Sequence, residues 1–146
     1  MTIRLAHGLV VRDGRVLLVA STYASHDEPL WNLPGGRVER GELLRETVER
    51  EVREETSLLA RVMNLAYVSE SYDGEQHVLA TIFEIEVSGE IAIAAAGDHV
   101  TGAQWVPIDE LRERIAVGVV REPLLAYLQH GTRYLGTHHA GISIRW

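Results

Sequence analysis

One stretch constrains this chain more than any other: Leu33 to Leu58, LPGGRVERGELLRETVEREVREETSL. It opens with a Pro-Gly-Gly turn and then carries helical periodicity from about Gly41 to Thr56. Projected at about 100° per residue, Leu44, Val48 and Val52 form one apolar stripe, the face that packs on the rest of the protein. Arg45, Glu46, Glu49 and Arg53 point the other way, into solvent. Glu55 falls inside the stripe, Glu51 lies at its edge, and Glu54 sits one step further round. Three carboxylates at i, i+3 and i+4 are thereby expected to converge on one side of the helix. Like charges so placed repel one another and resist desolvation, unless a cation or a proton is shared among them. Oxygen ligands of this kind suit Mg²⁺ or Mn²⁺. The plainer alternative is an acidic flank paired with Arg50 and Arg53. The Gly35-Gly36 turn and the regular spacing of charges after it favour the metal reading.

Length sets the frame for that helix. The 146 residues fit a single domain, 1–146, long enough to bury a proper core. No stretch is apolar for long enough to span a membrane, and MTIRLAHGLVV lacks the features of a signal peptide. With no cysteine, disulfides and thiolate metal sites are ruled out, and a cytoplasmic location is the expectation. A net charge of −7 argues against an extended nucleic-acid surface. It also means that an anionic substrate needs metal ions and local arginines to neutralise it.

Either side of the helix, the chain reads mostly as strands. Ile3 to Val11 alternates loosely, Asp13-Gly14 is a hairpin signal, and Arg15 to Ser21 returns as a more buried strand. A polar loop runs from Tyr23 to Leu30. Strands are expected at Val62 to Tyr72, Gln76 to Val87, Ile91 to Ala96 and Ala103 to Val106. Helices are expected over Asp109 to Ile115 and from near Pro123 to Gly131, with Ile142 to Trp146 available as an edge strand. This order implies an α/β domain with a mixed sheet between helices.

From Gly36 the charged positions keep a set spacing: five residues to Glu42, seven more to Arg50-Glu51-Val52, then Glu54-Glu55. This resembles the Nudix box, G-x5-E-x7-R-E-U-x-E-E-x-G-U, with U a bulky aliphatic residue; here the box spans residues 36–58. Every fixed position matches but one, Ser57, which stands where the family has glycine. Just past a helix end a left-handed residue is common, and serine adopts it at about 1 kcal/mol over glycine. The first hairpin, Trp31-Asn32-Leu33-Pro34-Gly35-Gly36 and the segment Trp105 to Leu111 extend the resemblance in outline.

The resemblance implies a Nudix-type α/β/α sandwich. It also implies hydrolysis of a diphosphate linkage in a nucleoside diphosphate joined to another group, with Mg²⁺ or Mn²⁺ as cofactor. A nucleoside triphosphate, ADP-ribose and a nucleotide sugar are the substrates in view. By position in the motif Glu51 and Glu54 resemble the main metal ligands, and Glu55 either shares metal binding or acts as base. The carbonyl of Gly35 resembles the family's backbone ligand, Arg50 is expected to orient a glutamate, and Glu42 is expected to be structural. The base is left between Glu51 and Glu55, with Asp98, in the loop before Trp105, as an additional metal ligand. Arg37 could reach a substrate phosphate, and Trp31 and Tyr23 could stack on a base or ribose, although packing is the commoner fate of a large aromatic. His99, His138 and His139 read as surface residues. Two further readings compete: a catalytically silent Nudix-fold module that senses a nucleotide, and a prenyl diphosphate isomerase. Retention of Glu51, Glu54, Glu55 and Arg50 argues against the first, and the absence of cysteine against the second. Family habit leaves a homodimer open.

Overall fold

A computed structural model describes residues 2–24, 26–93 and 99–138. The strands are β1 (Thr2–Leu9), β2 (Val11–Arg12), β3 (Arg15–Ser21), β4 (Leu30–Asn32), β5 (Gly35–Arg37), β6 (Leu59–Asp73), β7 (Gln76–Ser88), β8 (Val100–Pro107) and β9 (Tyr134–His138). The helices are α1 (Leu44–Thr56), α2 (Leu111–Arg114, after a 3-10 turn at Ile108–Glu110) and α3 (Gly118–His130).

Two sheets share the core. The larger is mixed, in the order β5-β1-β7-β6-β9, with β1 parallel to β7 and β9 parallel to β6. In the smaller, β3 carries β8 along one edge and β2 and β4 along the other. The chain changes sheet at Val10, so the expected strand from Ile3 to Val11 is two strands, one in each sheet. The cause is visible in β1, where every residue from Leu5 to Leu9 is buried. A strand flanked on both edges and both faces has no solvent side to alternate toward. The tight turn survives the division: Asp13 (φ 52°) and Gly14 (φ 72°) both take the left-handed conformation that a two-residue hairpin requires.

Helix α1 covers one face of the larger sheet, against β1, β5 and β6. Its Val48 and Val52 pack there with Ala6, Val10, Leu17, Leu58, Ile85 and Val87. Helix α3 covers the opposite face, where Leu124 and Leu125 join Leu9, Val16, Leu18, Tyr67 and Ile82. Helices on both sides of a mixed sheet make this an α/β/α sandwich.

Boundaries moved where backbone or packing overruled periodicity. Helix α1 begins at Leu44, after Gly41, whose φ of 89° cannot continue a helix. Helix α3 begins at Gly118 and carries Pro123 inside it, because burial of Pro123, Leu124 and Leu125 outweighs one missing backbone hydrogen bond. Ile91 to Ile93 is not a strand, and the remainder of that expected element lies outside the described residues, as does Ile142 to Trp146. The tail instead contributes β9, which pairs parallel with the second half of β6.

Candidate active site

The site is built where the turn between β4 and β5 meets the last turns of α1. The turn is held from below by β1. The Gly8 amide donates to the Pro34 carbonyl at 2.9 Å, and His7 Nδ1 lies 3.0 Å from the Leu33 carbonyl. Asn32 Oδ1 accepts the Leu33 amide at 2.7 Å. Gly35 and Gly36 are then required for two different reasons. At Gly35 φ is 153°, and a Cβ would lie 2.5 Å from His7 Nδ1. At Gly36 a Cβ would come within 2.7 Å of Glu51 Oε1, so the space a side chain would take is the space the carboxylate uses.

Glu55 is buried, with only 5% of its surface exposed, as its place in the apolar stripe implies. Its Oε1 accepts the Gly35 amide at 2.7 Å, which ties helix to turn. Arg50 organises the rest. Its Nε and Nη2 donate to the two oxygens of Glu42 at 2.7 and 3.0 Å, and Nη2 also donates to the Arg37 carbonyl at 3.3 Å. Its Nη1 donates to Glu51 Oε1 at 2.9 Å and to Glu54 Oε2 at 3.2 Å. This fork is a guanidinium pattern that an ammonium group could not reproduce. The Arg50 bond holds the Glu42 carboxylate down at about 2, helped by the Glu39 amide and the Thr47 hydroxyl.

A cleft of about 410 Å³ opens over the turn, and Glu51, Glu55, Gly35, Arg37, Tyr23 and His7 all line it. Of the residues singled out in the sequence, these first five are therefore together. The others are not. Glu54 is half exposed and turns toward Arg50 and the acidic outer side of the helix, away from the cleft. Among the described residues no three acidic or imidazole side chains close around one point, and of Glu51, Glu54 and Glu55 the first and last line the cleft. Arg50 Nη1 bridges Glu51 and Glu54 from the outer side of the helix. Trp31 takes the packing role that is the commoner fate of a large aromatic, and not the stacking role at the site. It packs against the core under the guanidinium of Arg114, 4.6 Å from the ring centre, while the cleft is lined by its neighbours Asn32 and Leu33. Asp98 lies outside the described residues. His99, read as a surface residue, is exposed yet lines the cleft, its ring 5.8 Å from that of Tyr23. Burial pushes the Tyr23 hydroxyl above its ordinary value. His138 stacks on Tyr72 across the β6–β9 pair, and neither lines this cleft.

The residue that sequence reasoning passed over is His7. It is 6% exposed, and burial lowers its pKa while the Leu33 and Pro34 carbonyls oppose the shift, so the ring is neutral. Its one signal was a lone polar ring within the apolar run LAHGLVV.

The NUDIX domain model matches residues 2–128. The chain belongs to the Nudix family. Among curated relatives, an ADP-ribose pyrophosphatase of Methanocaldococcus jannaschii is 34% identical over 107 residues, 71% of this chain and 61% of that protein. A MutT-like protein of Streptomyces ambofaciens is 34% identical over 110 residues, 75% of this chain and 66% of that protein. The chain thus spans a little under two thirds of the length of these relatives. Among solved structures, a MutT Nudix hydrolase from Burkholderia pseudomallei superposes with a TM-score of 0.72 at 27% identity, covering 85% of this chain and 96% of that one. A Nudix hydrolase from Nitrosomonas europaea reaches a TM-score of 0.78, covering 92% and 93%, and at 22% identity it speaks for the fold alone. No helix among the described residues is long and apolar enough to cross a membrane.

Proposed function

We propose that this Nudix chain is a divalent-metal-dependent hydrolase that cleaves the diphosphate bond of a nucleoside diphosphate derivative by attack of water at phosphorus. The observation that carries the reading is the pairing of Glu51 and Glu55 across the Gly35-Gly36 turn, in one cleft, with the glycines leaving room for the carboxylates. Such a donor set fits Mg²⁺ or Mn²⁺, which keep several waters and take one or two carboxylates together with substrate phosphates. Glu51, Glu55 and the Gly35 carbonyl would hold the ion, with Glu54 able to join by turning from Arg50. The bound ion would supply positive charge to the phosphate oxygens and lower the pKa of the attacking water.

The chain's own groups do the remainder. Glu55 is oriented by the Gly35 amide and Glu51 by Arg50, so the carboxylate that takes the water's proton is held before substrate arrives. Arg37, exposed at the rim, can pair with a phosphate oxygen, and Tyr23 offers a ring face at the mouth. ADP-ribose, nucleotide sugars and nucleoside triphosphates all present the required linkage.

The test is phosphate release, coupled to a phosphatase where needed, from those three classes with Mg²⁺ or Mn²⁺. Turnover that disappears with chelator, and falls by about 100-fold or more in Glu55→Gln, is the expected result. A folded protein that binds nucleotides and hydrolyses none would instead be a sensing module.

A further inference from the structure

The cleft does not end at the carboxylates. A second, narrower cavity continues between the larger sheet and α3, and shares Leu5, His7, Asn32 and Leu33 with the first. Its walls are mainly apolar, among them Tyr67, Ala80, Ile82, Val120 and Pro123. At about 50 Å³ it is smaller than a nucleobase, so a base would approach from the open cleft and only partly enter it. One end of the combined space thus suits a metal-bound diphosphate and the other a flat apolar ring. His7 stands at the join.

The chemistry of that ring is set by its surroundings. A carbonyl only accepts, so the Nδ1 that lies 3.0 Å from the Leu33 carbonyl carries the proton. In a neutral imidazole the other nitrogen, Nε2, is then a bare acceptor. Among the described residues no donor is bonded to Nε2, and no fully enclosed side-chain polar atom lacks a partner. Nε2 is therefore not fully enclosed, and His7 lines both cavities. A buried acceptor of this kind discriminates well, because a ligand without the matching donor leaves it unpaired.

A nucleotide runs from phosphate through sugar to base, and the group at the join of a charged and an apolar subsite meets the sugar. We propose that Nε2 of His7 accepts a hydrogen bond from a ribose hydroxyl of the bound nucleotide, so that His7 is a specificity residue selecting ribose over deoxyribose substrates. The inference rests on the hydrolase reading and narrows its substrate class.

The experiment compares kcat/KM for whichever nucleoside triphosphate, ADP-ribose or nucleotide sugar the protein turns over best with its forms lacking the 2′- or the 3′-hydroxyl of the nucleoside ribose. In the wild type at least one deoxy form is expected to be about tenfold poorer. His7→Asn keeps a donor near the Nδ1 position for the Leu33 carbonyl and lacks the distal acceptor, so its ribose preference should vanish to within about twofold. His7→Gln reaches the distal position with an acceptor and gives up the turn contact, so its preference should persist even where overall turnover drops. The ratio is internal to each protein, which separates recognition from support of the turn. Equal rates on all three substrates by the wild type, or a full penalty retained in His7→Asn, would overturn the inference and leave the hydrolase standing. No turnover of any nucleotide would remove the hydrolase and this inference together.

Discussion

Replacing Gly36 by alanine puts one methyl group where Glu51 now lies. On the present backbone its Cβ falls 2.7 Å from Oε1 and 2.8 Å from Cδ. Ordinary contact starts at 3.4 Å, so the carboxylate has to retreat by about 0.7 Å, the gap between 3.4 and 2.7 Å. It cannot do so freely, because Arg50 Nη1 holds the same oxygen at 2.9 Å. Site geometry is tolerant to about 0.5 Å, and a misplacement near 1 Å costs on the order of 100-fold. Gly36→Ala should therefore lose about 10- to 100-fold in kcat/KM, or roughly 1.4–2.7 kcal/mol of transition-state stabilisation. The fold should hardly notice. Gly36 has no positive φ, the clash is with the end of a flexible side chain, and alanine recovers about 0.4–1 kcal/mol from a less flexible unfolded chain. A melting temperature within about 3 °C of wild type is the expectation. Gly35→Ala is the contrasting control. There φ is 153° and the new Cβ meets the His7 Cα at 2.6 Å, so stability should fall by about 3 kcal/mol or more. Thermal melts and a magnesium titration of turnover on both variants decide the matter. Wild-type turnover in Gly36→Ala at an unchanged metal requirement would refute the placing of Glu51 in the site.

Three other perturbations test other parts. Arg50→Lys keeps the charge but loses the fork to Glu42, Glu51 and Glu54, so kcat/KM should drop about 10- to 100-fold with a raised metal requirement; unaltered metal dependence would show that Arg50 orients nothing. Because Arg50 depresses the Glu42 pKa from 4.5 to about 2, that carboxylate adds stability above pH 4.5, and the contribution is lost as pH falls towards 2. Glu42→Gln should be less stable than wild type at pH 7 by denaturant melts, with the difference narrowing in acid; a difference that widens there contradicts the sign. Ser57 takes φ 66° at the end of α1, where glycine would relieve about 1 kcal/mol, yet its hydroxyl donates to the Ala92 carbonyl at 2.7 Å. The two effects nearly offset, so Ser57→Gly should shift the melting temperature by no more than about 3 °C and leave turnover unchanged, whereas Ser57→Ala should be the less stable of the two.

Much of the candidate site could be read before any fold was known, because it is local. Gly35, Gly36, Glu42, Arg50, Glu51 and Glu55 lie on one turn, one helix and the short link between them, and helical geometry sets which of the last three share a side. The α/β class, the Asp13-Gly14 turn and the long strands β6 and β7 were legible for the same reason. Periodicity over a few residues reports local structure faithfully when one face is buried and the other is not.

What periodicity could not reach was any property that depends on who the neighbours are. The change of sheet at Val10 and the burial of His7 follow from β1 being paired on both edges, by β5 and by the sequence-distant β7. The withdrawal of Trp31 beneath Arg114 is likewise a contact across the fold. Glu54 shows the limit most clearly. Its spacing places it beside Glu51, but its direction is set by where one guanidinium, itself anchored on Glu42 and the Arg37 carbonyl, comes to rest. Chain order determined which charges could meet in this protein; packing decided which of them face the cleft, because burial and partner geometry are properties of the assembled chain.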